Sequence, residues 1–138
     1  MERLLGLRVA QPAQVEEVAH RERTSTIDLP VAVERAGGDE DLARELAGML
    51  LEEAPRWLED LSASQAQGDT ALFTRTAHTL KGSADHWGAR RAFELAKDLE
   101  RRGRTGDLSG VGRIVDELCA EYALLLDDLG RFRTGRAP

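Results

Sequence analysis

The stretch Ala77–Gly82 reads AHTLKG and holds His78, one of three histidines in a chain of 138 residues. An imidazole, an ammonium and a missing side chain within one helical turn pose a chemical question. His78 could be a buried structural ring, a metal ligand or a nucleophile held out to solvent. Helical geometry separates these readings. With about 100° per residue and Leu72 as origin, Leu72, Phe73, Thr76, Ala77, Leu80, Ala84 and Trp87 fall between about 0° and about 140°. His78 falls near ~240°, with Ala71, Thr74, Arg75, Gly82 and Asp85 around it at about 200–300° and Lys81 at about 180°. The imidazole is predicted on the polar face.

A metal is a poor fit. His86 lies only about 80° from His78 around the helix, but Gly82 and Lys81 intervene, and no carboxylate–histidine set has the spacing of a ligand motif. His86 is read instead as a helix-end residue beside the turn at Trp87-Gly88.

A nucleophile fits better. Gly82 stands inside the helix at a cost of ~1 kcal/mol relative to alanine, and its absent side chain would let another surface approach the ring. Lys81 is three residues on, within reach of any group attached to His78. The chain has seventeen arginines against two lysines, and a flexible point cation suits a moving phosphoryl oxygen where a planar arginine fork suits a fixed one. An exposed imidazole is partly neutral, hence nucleophilic, near neutral pH. These residues together describe a phosphoryl acceptor. They also fit an ordinary surface His-x-x-Lys-Gly, and the local pattern alone leaves both open.

The elements that must position His78 are helical. Residues 1–26 carry no sustained apolar stripe and are read as an arm or linker with His20 solvated. IDLPVAVERAGG is a short helix, with Pro30 in its first turn and Gly37-Gly38 closing it. DEDLARELAGMLLEEAPRWLEDLSASQAQG opens with acids that suit a helix N-terminus. Its apolar set is Leu42, Leu46, Met49, Leu50, Trp57, Leu58 and Leu61, with a kink or break expected at Pro55. GDTALFTRTAHTLKGSADHWG is capped by Asp69. ARRAFELAKDLERRGRTG ends at Gly103 or Gly106, and DLSGVGRIVDELCAEYALLLDDLG carries Val111, Ile114, Val115, Leu118, Tyr122, Leu125 and Leu129 on one stripe. No segment alternates with period two. The expectation is an all-α antiparallel four-helix bundle over residues 27–132, with a short additional N-terminal helix as a lid and a disordered tail over 133–138.

Bulk properties narrow the classes. Hydrophobic residues make up 41 % and charged residues 32 % of the chain, which suits one soluble globular domain. A net charge of −6 and the lack of a basic run argue against nucleic acid. The single cysteine, Cys119, lies in an apolar pattern and reads as core, so no internal disulfide is possible. The apolar runs are too short to span a bilayer, and the opening MERLLGLRVAQP lacks a signal-peptide core, so a cytoplasmic location is expected.

The wider stretch AHTLKGSADHWGARRAFELAKDLE resembles the histidine-containing phosphotransfer (HPt) domain of multistep phosphorelays, with its A-H-x-L-K-G-S core, a Gly-Ala pair and a leucine-spaced helix ending in Leu-Glu. The similarity extends over roughly residues 27–132. It implies that His78 carries the phosphoryl group on its distal ring nitrogen, that Lys81 steadies its charge, that Gly82 clears the docking surface and that Ser83 helps orient the helix or the imidazole. Trp87 departs from the pattern, standing where leucine is usual. Arg75, on the same exposed face as His78, is expected to support the site. Lys97 is expected at the edge of the patch, because in a hairpin turning near Trp87-Gly88 it or Ala96 would face His78.

The resemblance implies a carrier rather than an enzyme. Its partners would be response-regulator receiver domains, docking transiently over less than ~1,200 Å², with a histidine kinase possible in cis. It has no cofactor of its own, and Mg²⁺ is expected on the receiver. No Gly-rich nucleotide loop is present, so no phosphorylation from ATP is expected. The alternatives are the phosphoacceptor domain of a chemotaxis-type kinase, which also carries an HTLKG stretch, and an adaptor bundle that is never phosphorylated.

Overall fold

A computed structural model describes residues 26–135. Among the described residues there are five helices: α1 (Leu29–Arg35), α2 (Glu40–Gln67), α3 (Thr70–His86), α4 (Arg90–Thr105) and α5 (Gly112–Arg133). Helices α2 to α5 form an antiparallel bundle and α1 packs across one end, as expected. Asp28, Asp39 and Asp69 cap α1, α2 and α3, each carboxylate accepting a backbone N–H three residues on.

The core is built on small residues. Ala43, Ala47, Ala54, Ala77, Ala84, Ala92 and Ala96 are all buried, which lets helices approach closely around Phe73, Leu80, Leu99, Leu118 and Tyr122. The tightest approach joins α3 to α4. A Cβ on Gly103 would collide with Thr74 Oγ1 and stand 3.2 Å from the Thr74 Cβ. The turn between these helices is equally close. Gly88 has φ +66°, and a Cβ there would lie 2.6 Å from the Asp28 Cβ, so only glycine fits both the conformation and the space.

Helix α1 is fastened to that turn. The Asp28 N–H donates to the Trp87 carbonyl at 2.8 Å, and Arg35 pairs with Asp85 at 3.6 Å. Trp87, the departure from the family pattern, is buried and packs edge-on against Phe132 of α5 with ring centroids 6.0 Å apart.

Two expectations change in detail. Of the kink or break expected at Pro55, the break does not occur: helix α2 runs through it as one element. The proline stands on the exposed side, while Ala43, Ala47 and Leu50 before it and Leu61 and Ser64 after it tie both halves to one core, offsetting a ring that costs about 3 kcal/mol in a helix interior. Leu42 and Met49 are not in the core but 40 % and 54 % exposed. Helix α5 runs through Arg133, and residues 136–138 of the expected tail lie outside the described residues. The arm lies almost wholly outside the described residues. Thr26, its last residue, is included and donates through both N–H and hydroxyl to the buried Asp128 carboxylate, at 2.8 and 2.7 Å.

Candidate functional site: a histidine held by a buried carboxylate

His78 lies midway along α3 on the face turned from the core, and its side chain is 64 % exposed. Its neighbours Phe73, Thr76, Ala77 and Leu80 are buried, as helical periodicity required. The ring is nevertheless not free. His78 Nδ1 lies 2.8 Å from Oε2 of Glu100, a residue of α4 that is only 1 % exposed.

Glu100 collects three donors. Lys81 Nζ is 2.7 Å from Oε1, and an Arg104 guanidinium nitrogen is 2.5 Å from Oε2, the same oxygen that meets the imidazole. Burial alone would push the Glu100 carboxyl up, but hydrogen bonds from Lys81 and His78 and the charges of Lys81 and Arg104 outweigh it and hold the group below the ordinary glutamate range. Glu100 is therefore an anion that can only accept.

That settles the tautomer. Nδ1 must donate to the carboxylate, so in the neutral ring the lone pair sits on Nε2, at the far edge of the ring. The arrangement can act as an oriented nucleophile: ring rotation is checked by one hydrogen bond, and Glu100 is placed to oppose positive charge that an attack by Nε2 would develop on the ring.

The other expected residues separate into groups. Lys81 is partly buried, drawn toward Glu100. Gly82 is exposed, and a Cβ there would meet nothing within 4 Å, so its bare backbone faces open space. Arg75 is exposed and lines a shallow groove with Thr70, Thr74, His78, Glu100 and Arg104. Ser83 does not reach the imidazole. Its side chain hydrogen-bonds the Tyr122 hydroxyl, which in turn donates to the Leu80 carbonyl at 2.6 Å, linking α3 to α5. Ser83 thus serves the helix rather than the ring. Burial raises the Tyr122 phenol far above its ordinary value despite the Ser83 bond, so it stays a neutral donor.

Lys97 is exposed on α4, and the α4 residue bonded to His78 is Glu100, three positions further on. The pairing His78–Glu100 spans 22 residues, which centres the hairpin on Ala89 rather than on Trp87 and moves the facing residue three positions further along α4. His86 closes α3 as expected, stacked edge-on to Trp87 with its Nε2 buried. Burial and the nearby Arg35 charge lower its pKa.

Sequence reasoning missed Glu100 and Arg104. A signal for Glu100 existed, because it falls on the buried stripe of α4 with Ala92, Leu95, Ala96, Leu99 and Gly103. A carboxylate on an apolar stripe requires a partner. Arg104 then follows at the i+4 position favoured for a Glu–Arg pair.

The family model described as Hpt domain matches residues 45–132. The chain belongs to the Hpt domain family. As an Hpt domain it is a histidine phosphotransfer carrier of phosphorelays, a class that interacts with receiver domains. Two solved structures share its fold. One is the HPT domain from a sensor hybrid histidine kinase of Shewanella, with TM-score 0.72, 21 % identity and coverage of 82 % of this chain and 97 % of that one. The other is histidine-containing phosphotransfer protein B of Pseudomonas aeruginosa PAO1, with TM-score 0.74, 23 % identity and coverage of 82 % and 98 %. No curated protein matches the chain by sequence. Among the described residues, no helix of this Hpt domain is long and apolar enough to cross a membrane.

Proposed function

We propose that His78 is the phosphoacceptor of this Hpt domain, taking the phosphoryl group from the aspartyl phosphate of one receiver and passing it to the aspartate of another. The observation that carries this reading is the exposed imidazole whose Nδ1 is tied to the buried Glu100. In the forward step the Nε2 lone pair forms a bond to phosphorus as the phosphorus–oxygen bond to the aspartate breaks, and the carboxylate leaves with its electron pair. No proton has to move. The Nδ1 hydrogen stays on the ring, and Glu100 opposes the positive charge the ring gains. The return step is the reverse.

Such a transfer passes through a loose transition state, in which alignment and charge neutralisation matter more than acid–base chemistry. Lys81 supplies the ammonium nearest the ring, and Gly82 clears the approach. Arg75 contributes positive potential in the groove beside His78. Lys97, exposed on α4, does so at the edge of the patch. The receiver is expected to bring the Mg²⁺ and the remaining catalytic groups. This chain acts as a carrier without ATP-dependent activity of its own.

The test is to mix the full chain with a panel of phosphorylated receiver domains and record its intact mass under non-acidic conditions. A gain of one phosphoryl group that disappears in His78→Gln supports the proposal. A gain that persists in His78→Gln, or none with any receiver, contradicts it.

A further inference from the structure

Lys81 has two calls on one ammonium. In the structure it is bound to Glu100 Oε1 at 2.7 Å. To neutralise a phosphoryl group on His78 Nε2 it has to turn outward and release that oxygen. Glu100 is 1 % exposed, and a buried carboxylate stripped of its cation is strongly disfavoured. Lys81 could then leave only if another cation stays behind.

Arg104 meets that need. Its guanidinium is 2.5 Å from Oε2, not Oε1, so its bond does not depend on where Lys81 is. It sits four residues along the same helix from Glu100, so the pair is set by α4 alone and survives movement of α3 side chains. The two carboxylate oxygens are thus divided between a cation that can leave and a cation that remains.

We propose that Arg104 is a positioning residue that releases Lys81. It holds Glu100 neutralised while the Lys81 ammonium passes from Glu100 Oε1 to the phosphoryl oxygens. Before phosphorylation two cations share one carboxylate. Afterwards the carboxylate and the phosphoryl group have one each. No bond other than hydrogen bonds is exchanged, and the site accepts the incoming negative charge without exposing a bare buried anion. This inference rests on His78 being the acceptor, and Arg104 need not touch the phosphoryl group.

The consequence is specific: Arg104 matters only because Glu100 is charged. The test uses the full chain with phosphoramidate, a small phosphodonor that needs no docked protein, and reads the equilibrium fraction phosphorylated from intact mass at neutral pH. Arg104→Gln is expected to lower the phosphorylation equilibrium constant about tenfold, because Lys81 is then held on Glu100. Arg104→Lys is expected within about twofold of wild type. The decisive variant is Arg104→Gln combined with Glu100→Gln. The neutral amide needs no cation, so the pair is expected to return to within about twofold of Glu100→Gln alone. A tenfold loss that persists in the Glu100→Gln background would show a direct or merely structural role and overturn the proposal, as would an Arg104→Gln protein identical to wild type. His78→Gln is the control. Phosphorylation that persists there overturns the acceptor assignment itself, whatever Arg104 does.

Discussion

His78 Nδ1 and Glu100 Oε2 stand 2.8 Å apart, so a carboxylate on α4 decides which nitrogen of a ring on α3 is nucleophilic. Removing that partner should therefore affect chemistry as well as packing. Glu100→Ala is expected to slow phosphorylation by phosphoramidate by roughly 10- to 100-fold, the range that follows loss of a group orienting an imidazole. Glu100→Gln keeps an oxygen to accept the Nδ1 hydrogen and should lose much less. Single-turnover rates check this, and an unchanged rate in Glu100→Ala would contradict it.

Gly82 separates folding from function. A Cβ there touches nothing within 4 Å, so Gly82→Ala should stabilise α3 by about 1 kcal/mol through helix propensity. Transfer from a receiver should nevertheless fall ~10-fold or more, because a methyl group now stands on the approach to the ring. Phosphorylation by phosphoramidate should be little changed. Denaturant melts and transfer kinetics on the same samples test the pair of effects; a variant that is both more stable and fully competent with receivers would refute the role given to Gly82.

What the sequence made legible follows from what helical periodicity can encode. The exposure of His78 is a local matter, since Leu72, Phe73, Ala77 and Leu80 fix the rotation of α3 about its own axis. The burial of Glu100 is legible on the α4 stripe, but its partner is not, because that partner comes from another helix and the pairing depends on where the hairpin turns. A turn near Trp87-Gly88 points to Ala96 or Lys97, whereas the His78–Glu100 pairing centres the hairpin on Ala89. Which of the two roles open to Ser83 it fills depends on Tyr122, which belongs to α5, far along the chain. The exposure of Leu42 and Met49 was equally unreadable, because α2 carries more apolar surface than its neighbours cover.

Gly103 tests the spacing that brings the two helices together. Gly103→Ala puts a methyl group against Thr74, 3.2 Å from its Cβ and 3.3 Å from a Phe73 ring carbon. The overpacking should cost about 1–3 kcal/mol and widen the gap between α3 and α4, weakening the His78–Glu100 bond. Urea denaturation gives the first effect, and the exchange rate of the His78 Nδ1 proton gives the second. A variant with wild-type stability and an equally protected proton would contradict the tight approach.

The lowered Glu100 pKa sets a sign for acid stability. The unfolded chain takes up a proton near the ordinary value of 4.5, while the folded carboxyl, held by Lys81, His78 and Arg104, resists until a lower pH. The unfolded state therefore binds more protons as the pH falls, and stability falls with it. The contribution is fully present above about pH 4.5 and disappears as the pH drops through the folded-state value. Glu100→Gln should flatten this limb of the curve. Unfolding midpoints from about pH 3 to about pH 7 check it, and parallel curves would show that Glu100 is not held as described.

The central claim is that Nε2 of His78 carries the phosphoryl group while Nδ1 keeps its proton on Glu100. Phosphorus–nitrogen correlation by NMR, on ¹⁵N-histidine-labelled chain phosphorylated at neutral pH, reads this directly. The expected result is phosphorus coupled to Nε2 of His78, with Nδ1 still protonated. Phosphorus on Nδ1, or on either of the other two histidines of the chain, would contradict the account.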